Sequence, residues 1–350
     1  MWLSTITARP ETRQQWVKRA PAGMRRWHLA RDYARFVVRE RRNAENLLTR
    51  IRQRQTGDAL DGVSHSVFRG GAVRVAIFGS WDGGWMRALG SDSEVWRNLE
   101  PVQEVRLLDG GPHELESYAA AAESPLLVLP LVEKHALAVP DALRVRIPYR
   151  EVIQLLANKA RSSAYMAERW ADCLPGDYAN LDEVVYPCVI KPVRACGGAG
   201  IAIVESPAAL IAALESYWLA GEAAIVQAFV PGEREQVTHA MCADGKILWE
   251  CSFDKPRCLR GPAAESPDSE KTRLISTHPK IRALLRELVA ELGYSGPLCI
   301  DYRMCDEGPM IFEVNPRFGG SLMEPWSRSL LRESVMTLID SIPPPAPYPS

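Results

Sequence analysis

The chain has 350 residues, 47% of them hydrophobic, with 42 Lys and Arg against 43 Asp and Glu, so that the net charge is about -1. That length predicts two or three domains, and the apolar share with the near-neutral balance describes an ordinary soluble globular protein whose overall charge says nothing about partners. The eight cysteines form no CxxC pair and no Cys/His cluster at zinc spacing, which excludes a zinc finger and points to buried thiols in a reducing compartment.

The first 56 residues stand apart. They hold 14 Lys and Arg against 4 Asp and Glu. From Gln14 to Gln55 the pattern is helical, with a break near Pro21-Ala22-Gly23 and an apolar stripe through Trp16, Trp27, Leu29, Tyr33, Phe36, Val37, Leu47, Leu48 and Ile51. Residues 1–65 are therefore expected to be a basic helical extension. It packs on the body or on a second copy in a homodimer, or it offers a basic face to an anionic partner such as a membrane, RNA or an acidic carrier. Met1 to Pro10 lacks the apolar core of a secretory leader, and no run of about 18 apolar residues is present. The expected location is the cytoplasm, with no transmembrane segment.

From Ala72 the pattern becomes alternating strands and helices. Val73–Gly79, Glu104–Leu108 and Pro125–Leu131 read as buried strands of a small parallel sheet, predicting an α/β domain over 72–150. The loop Ser80-Trp81-Asp82-Gly83-Gly84 is not a GxGxxG fingerprint, and a substrate crevice at a topological switch point is the better expectation for it.

Residues 151–340 read as a second, α+β domain. Arg150–Arg169 is helical, with Asn158-Lys159 near its middle, and Val184–Lys191 is a strand delivering Lys191 to a glycine loop at residues 196–200. Glycines let the backbone curl around a phosphate, and a lysine adds a point charge. The loop lacks the GK[ST] ending of a Walker P-loop. Ile201–Val204, a helix at Pro207–Ala220 and the strand Ala223–Val230 follow. Glu235–Cys242 and Lys246–Cys251 form a hairpin over Ala243-Asp244-Gly245. Residues 253–277 read as a long polar loop, in which Lys255, Arg257 and Arg260 can hold an acidic substrate. After the helix Ile281–Leu292 come two runs flanking Asp306-Glu307-Gly308. Asp301 lies on the first, and Glu313 and Asn315 on one face of the second. Two carboxylates and an amide oxygen suit a hard cation that also holds phosphates. Residues 343–350 read as a disordered tail.

Taken together, Lys159, Lys191 with its glycine loop, the segment Val226–Glu235, and Asp301 through Ser321 resemble the ATP-grasp superfamily over roughly residues 130–340, with D-alanine–D-alanine ligase, biotin carboxylase and carbamoyl phosphate synthetase sharing the pattern. The extension has no counterpart in it. The resemblance implies ATP and two Mg²⁺ ions, with Mn²⁺ a workable substitute, and a mobile lid subdomain at about 184–230. Lys159 and Lys191 would contact the phosphates under a lid that includes Gly197, Gly198 and Gly200. Gln227, Ala228, Phe229 and Val230 would hold adenine, between Val189 and Phe312. Glu235, or Glu233, would bind ribose. Asp301, Glu313 and Asn315 would be the metal ligands. Arg317 would meet the transferred phosphoryl group, with Gly319, Gly320 and Ser321 beside the substrate. Arg303 is a further candidate, for a substrate carboxylate. The implied activity is that of an ADP-forming carboxylate–amine ligase acting on small molecules. A non-amine acceptor, or an ATP-binding regulator without turnover, are the competing expectations.

Overall fold

The computed structural model describes residues 22–58, 72–121, 124–195, 198–256 and 272–342. Expectations for residues 1–21, for Cys196 and Gly197, for Arg257 and Arg260, and for the C-terminal tail lie outside these residues.

Helix α1 (Ala22–Asp58) is a single rod of 37 residues, about 55 Å long at 1.5 Å per residue. Leu29, Tyr33, Phe36, Ala44, Leu47, Leu48 and Ile51 are buried at helical spacing, so one face is committed to the body of the protein. The first sheet is parallel, in the order β2-β1-β3 (β1 Val73–Phe78, β2 Val102–Leu108, β3 Leu126–Pro130). Central strand β1 is buried at every position. Its one charged residue, Arg74, donates to the Tyr118 and Ala119 carbonyls at 2.7 and 3.1 Å, which offsets the cost of burying it. The short helices α2 (Gly83–Leu89), α3 (Pro112–Ala120) and α4 (Glu133–Ala138) complete this unit.

Two helices, α5 (Arg150–Leu156) and α6 (Lys159–Trp170), lead into a three-stranded antiparallel sheet ordered β5-β4-β6 (β4 Cys188–Pro192, β5 Ala202–Val204, β6 Ala224–Ala228). Helix α7 (Pro207–Ala220) backs it. Ser206 caps its start with Pro207 in the first turn, and Gly221 closes it at φ +78, the left-handed conformation that glycine adopts freely. The large antiparallel sheet runs β11-β10-β7-β8-β9 (β7 Arg234–Ala243, β8 Lys246–Pro256, β9 Arg273–Ile275, β10 Gly296–Cys305, β11 Gly308–Asn315). Helices α8 (Pro279–Glu291) and α9 (Arg328–Asp340) pack on it. One face of the first sheet has its own core, in which Ala76, Phe78, Leu108 and Val128 cluster with Leu115 and Ala136 of α3 and α4; the other face is shared. Val75, Ile77 and Leu129 share one buried cluster with Val237, Met241 and Phe253 of the large sheet and with Leu331, Val335 and Leu338 of α9.

Two expectations need correcting. The strand ending at Lys191 begins only at Cys188, because residues 181–183 form a helical turn and Pro187 has no N–H for a ladder. The polar loop expected over 253–277 is partly sheet: β8 continues to Pro256, and Ser252–Asp254 pair with Ile275–Arg273 of β9. Long-range pairing overrides the local composition there, and Lys255 is a strand residue.

Candidate nucleotide and metal site

The three-stranded antiparallel sheet and the large sheet present facing side chains. On β4, Val189 and Lys191 lie on one face, while Cys188 and Ile190 are buried against α7. Gln227 pairs with Val189 in register, which brings it onto the same face as the lysine. On the large sheet, Asp301 lies directly opposite Glu313, and Asn315 opposite Cys299. Asn315 Nδ2 donates to Asp301 Oδ2 at 3.1 Å. The two-residue turn Asp306-Glu307 closes the hairpin, with Gly308 at φ +125.

A bulge interrupts this ladder. Tyr302 pairs with Ile311, so Phe312 is the extra residue. Its freed carbonyl accepts from Lys191 Nζ at 2.9 Å, which ties the three-stranded antiparallel sheet to the acidic hairpin. Burial pushes the Lys191 ammonium down to about 8, with Glu313 and Asp177 acting the other way. Lys159 opens α6 immediately after its cap, Asn158. Its Nζ reaches Glu313 Oε1 at 2.7 Å and the Ala195 carbonyl, at the start of the glycine turn, at 2.9 Å. Gly198 and Gly200 in that turn have φ near +73 and +74. Lys159, Gln227, Phe312 and Glu313 line one hollow with Ser162 and Met166.

The hinge after β6 is held from two sides. Ala228 N–H donates to the Gly176 carbonyl at 2.9 Å, and Arg303 donates to the Val230 carbonyl. The expectation that Arg303 meets a substrate carboxylate needs correcting. The guanidinium is buried, donates to the Arg234 carbonyl and to Glu235 Oε1 at 2.9 and 3.0 Å, and lies over the Phe312 ring at 5.1 Å. It is committed to the hinge wall. Of the two ribose candidates, Glu235 is the one joined to this wall, while Glu233 lies exposed in the preceding turn. The Gln227 amide N–H donates to Asp177, so the acceptor the side chain still offers is its oxygen. Burial raises the Asp177 carboxyl above the usual range, against the donors from Ser163 and Gln227.

Arg317 sits at the junction with the first sheet. Its Nε donates to Glu133 Oε1 at 2.7 Å, and Nη2 approaches Asn315 Oδ1 at 3.4 Å. Glu133 lies just beyond the carboxyl end of β3, at the mouth of the crevice expected from the sheet order. Pattern reading had not singled it out, since a lone glutamate after a strand carries no motif. His239 was missed as well. It is fully buried on β7, opposite Cys299, and its Nε2 lies 2.7 Å from Ser321 Oγ. Burial pushes the imidazole down to about 3, with Lys255 and Arg317 adding to the effect. Its alternation with Val237 and Met241 was legible, but that pattern alone reads as core. Gly319 passes so close that a Cβ there would lie 2.3 Å from the ring and 2.6 Å from Cys299 Sγ. Lys255 Nζ is 3.4 Å from Asp301 Oδ1.

Among the described residues no three His, Cys, Asp or Glu side chains gather as a metal cluster. The donor set is instead two carboxylates and one amide oxygen. That fits a hard cation that keeps waters and takes further oxygens from phosphates, as Mg²⁺ does.

A family model for the ATP-grasp domain matches residues 157–321. Residues 157–321 are an ATP-grasp domain. Such domains take ATP with Mg²⁺, and the matched span runs from Ala157, just before the α6 cap, to Ser321, enclosing both lysines and the acidic hairpin. The fold is similar to that of D-alanine–D-alanine ligase from Bacillus anthracis complexed with ATP (TM-score 0.52, 17% identity, 78% of this chain and 96% of that one). It is also similar to phosphoribosylamine–glycine ligase from Thermotoga maritima (TM-score 0.54, 18% identity, 77% and 75%). In sequence the chain is 25% identical over 232 residues to formate-dependent phosphoribosylglycinamide formyltransferase from Yersinia enterocolitica, covering 61% of this chain and 57% of that protein. The chain therefore spans less than two thirds of that relative. Helix α1 lies outside the ATP-grasp match. Among the described residues, no helix is long and apolar enough to cross a membrane.

Proposed function

We propose that this chain is an ADP-forming ligase that activates a small carboxylate as its acyl phosphate and joins it to an amine. The observation that carries the reading is the convergence of Lys159 and Lys191 on the hairpin of Asp301, Glu313 and Asn315. Cations from the lid side there meet oxygen donors from the large sheet.

In this reading adenine lies between Val189 and Phe312, with the Gln227 oxygen accepting from its amino group and the backbone of Ala228 to Val230 alongside. Glu235 takes the ribose hydroxyls, with Glu233 as the alternative. Lys159, Lys191 and the backbone of Gly198 and Gly200 hold the phosphates. Asp301, Glu313 and Asn315 hold Mg²⁺, which screens the charge on the phosphate oxygens when bound. Arg317 faces the developing charge on the transferred phosphoryl group, and its bond to Glu133 fixes where the guanidinium points. A carboxylate oxygen attacks the γ-phosphorus and ADP leaves. The amine nitrogen then attacks the acyl carbon, the C–O bond to phosphate breaks, and nitrogen gives up a proton. Gly319, Gly320 and Ser321 border the acyl group, and the crevice at the carboxyl ends of β1 and β3 receives the second substrate. No covalent protein nucleophile is needed, so catalysis rests on positioning and electrostatics.

The test is release of ADP and phosphate by the full chain against a panel of amino acids, other amines and small carboxylic acids, formate included. Amine-dependent ADP release, abolished in Glu313→Ala with the fold retained by circular dichroism, is the expected result. Turnover surviving in Glu313→Ala would remove the metal assignment, and Mg·ATP binding without turnover on any pair would favour a regulatory protein.

A further inference from the structure

Helix α1 lies outside the ATP-grasp match, yet two of its buried polar side chains end at the nucleotide site. Tyr33 reaches the adenine side. Its hydroxyl accepts from Val226 N–H at 2.9 Å and donates to the Tyr178 carbonyl at 2.9 Å. Residues 176–178 run along the free edge of β6, where Tyr178 N–H donates to the Val226 carbonyl and Ala228 N–H to the Gly176 carbonyl. The Tyr33 hydroxyl thus fills a rung between β6 and the short segment that carries Asp177, the residue holding the Gln227 amide.

Glu40 reaches the phosphate side. Its side chain is 5% exposed. Oε2 accepts from Arg161 Nε at 2.6 Å and Asn158 Nδ2 at 3.4 Å. Asn158 caps α6 by accepting from Arg161 N–H at 3.1 Å, and the next residue is Lys159. Lys159 N–H in turn donates to the Val193 carbonyl at 3.1 Å, just beyond the end of β4. Glu40 therefore holds the first turn of the helix that aims Lys159 at Glu313.

Tyr33 and Glu40 are seven residues apart on one face of an unbroken helix, a fixed separation of about 10 Å. Further along, Leu47, Leu48 and Ile51 enter the core of the large sheet, and Arg52 and Gln55 bind Glu291 at the end of α8. One rod thus touches the three-stranded antiparallel sheet, the phosphate-lysine helix and the body. We propose that α1 is a positioning brace for the nucleotide site, setting the adenine hinge through Tyr33 and the Lys159 side chain through Glu40. The inference rests on the phosphate role given to Lys159 above.

The experiment measures binding of Mg·ATP by calorimetry and of adenosine by ligand-observed NMR, on the full chain and on Tyr33→Phe, Glu40→Gln and Lys159→Ala, with melting midpoints recorded for each. Glu40→Gln is expected to weaken Mg·ATP by about 3- to 10-fold while adenosine binding stays unchanged, because Lys159 touches only phosphates. Tyr33→Phe is expected to weaken both ligands by the same factor. A merely structural helix lowers the melting midpoint and leaves the ATP-to-adenosine affinity ratio unmoved, and that ratio unchanged in Glu40→Gln overturns the proposal. Should Glu40→Gln fail to fold, Arg161→Gln interrogates the same contact from the other side. Loss of ATP binding in Lys159→Ala with none in Glu40→Gln refutes the brace alone. Full ATP affinity in Lys159→Ala refutes the role of Lys159 and the brace with it.

Discussion

Gly319 offers the sharpest test of the packing against His239 and Cys299. Its φ of -88 is open to any residue, so the requirement for glycine is one of space rather than backbone strain. An added Cβ would lie 2.3 Å from His239 Cε1 and 2.6 Å from Cys299 Sγ. Neither neighbour is the free end of a flexible chain. Both are buried on paired strands, and His239 is held to Ser321 at 2.7 Å. Forcing a methyl group into such a site costs about 1–3 kcal/mol, and a displaced ring gives up a hydrogen bond worth about 0.5–1.5 kcal/mol, so Gly319→Ala is expected to lose about 1.5–4.5 kcal/mol. Thermal melting of Gly319→Ala, His239→Ala and the double variant checks this, together with ADP release. Removing the ring makes room for the new methyl, so the double variant should be less destabilised than the sum of the singles. A Gly319→Ala chain that melts and turns over like the parent, or strictly additive singles, would refute the close approach of this loop to β7.

Two further outcomes follow from the nucleotide wall. Lys191 is held down to about 8 by burial, so its positive charge is present below that pH and lost as pH rises through it. Mg·ATP affinity of the free protein should therefore decline above about pH 8, and Lys191→Arg, whose guanidinium keeps its proton, should flatten the decline; an identical pH profile in the two proteins would remove Lys191 from phosphate binding. Asp177 accepts the Gln227 N–H, so the acceptor Gln227 still offers is its oxygen. Asp177→Asn allows the amide to reverse and offer N–H to guanine O6, and the preference for ATP over GTP should fall by about tenfold, as competition binding would show; an unmoved preference would mean that something else orients Gln227.

The order of chemical parts along the chain was legible before any fold was known. Lysine at a strand end, glycines after it, and Asp, Glu and Asn on an alternating hairpin are local patterns, and period-two alternation places Glu313 and Asn315 on one face whatever surrounds them. Arg303 shows the limit of such reasoning. Alternation put it correctly on the face of Asp301, but only the approach of the 230–235 hinge decided that its donors are consumed by Val230, Arg234 and Glu235. The 253–277 segment failed for a related reason: its composition is that of a loop, and its strand character comes from partners on β7 and β9.

Tyr33, Glu40, Glu133 and His239 mark what tertiary structure alone decides. Each belongs to no motif, and each lies tens of residues or more from the group it holds. A hydrogen bond across such a separation leaves no periodic trace in the chain, because it depends on where two elements come to rest rather than on how either is built. The hairpin face and the kind of cation it suits are properties of short stretches and can be read from them, as can most of the helices and strands. The bracing of the hinge, the aim of Lys159 and the placing of Arg317 against the first sheet arise only when the sheets and α1 pack together.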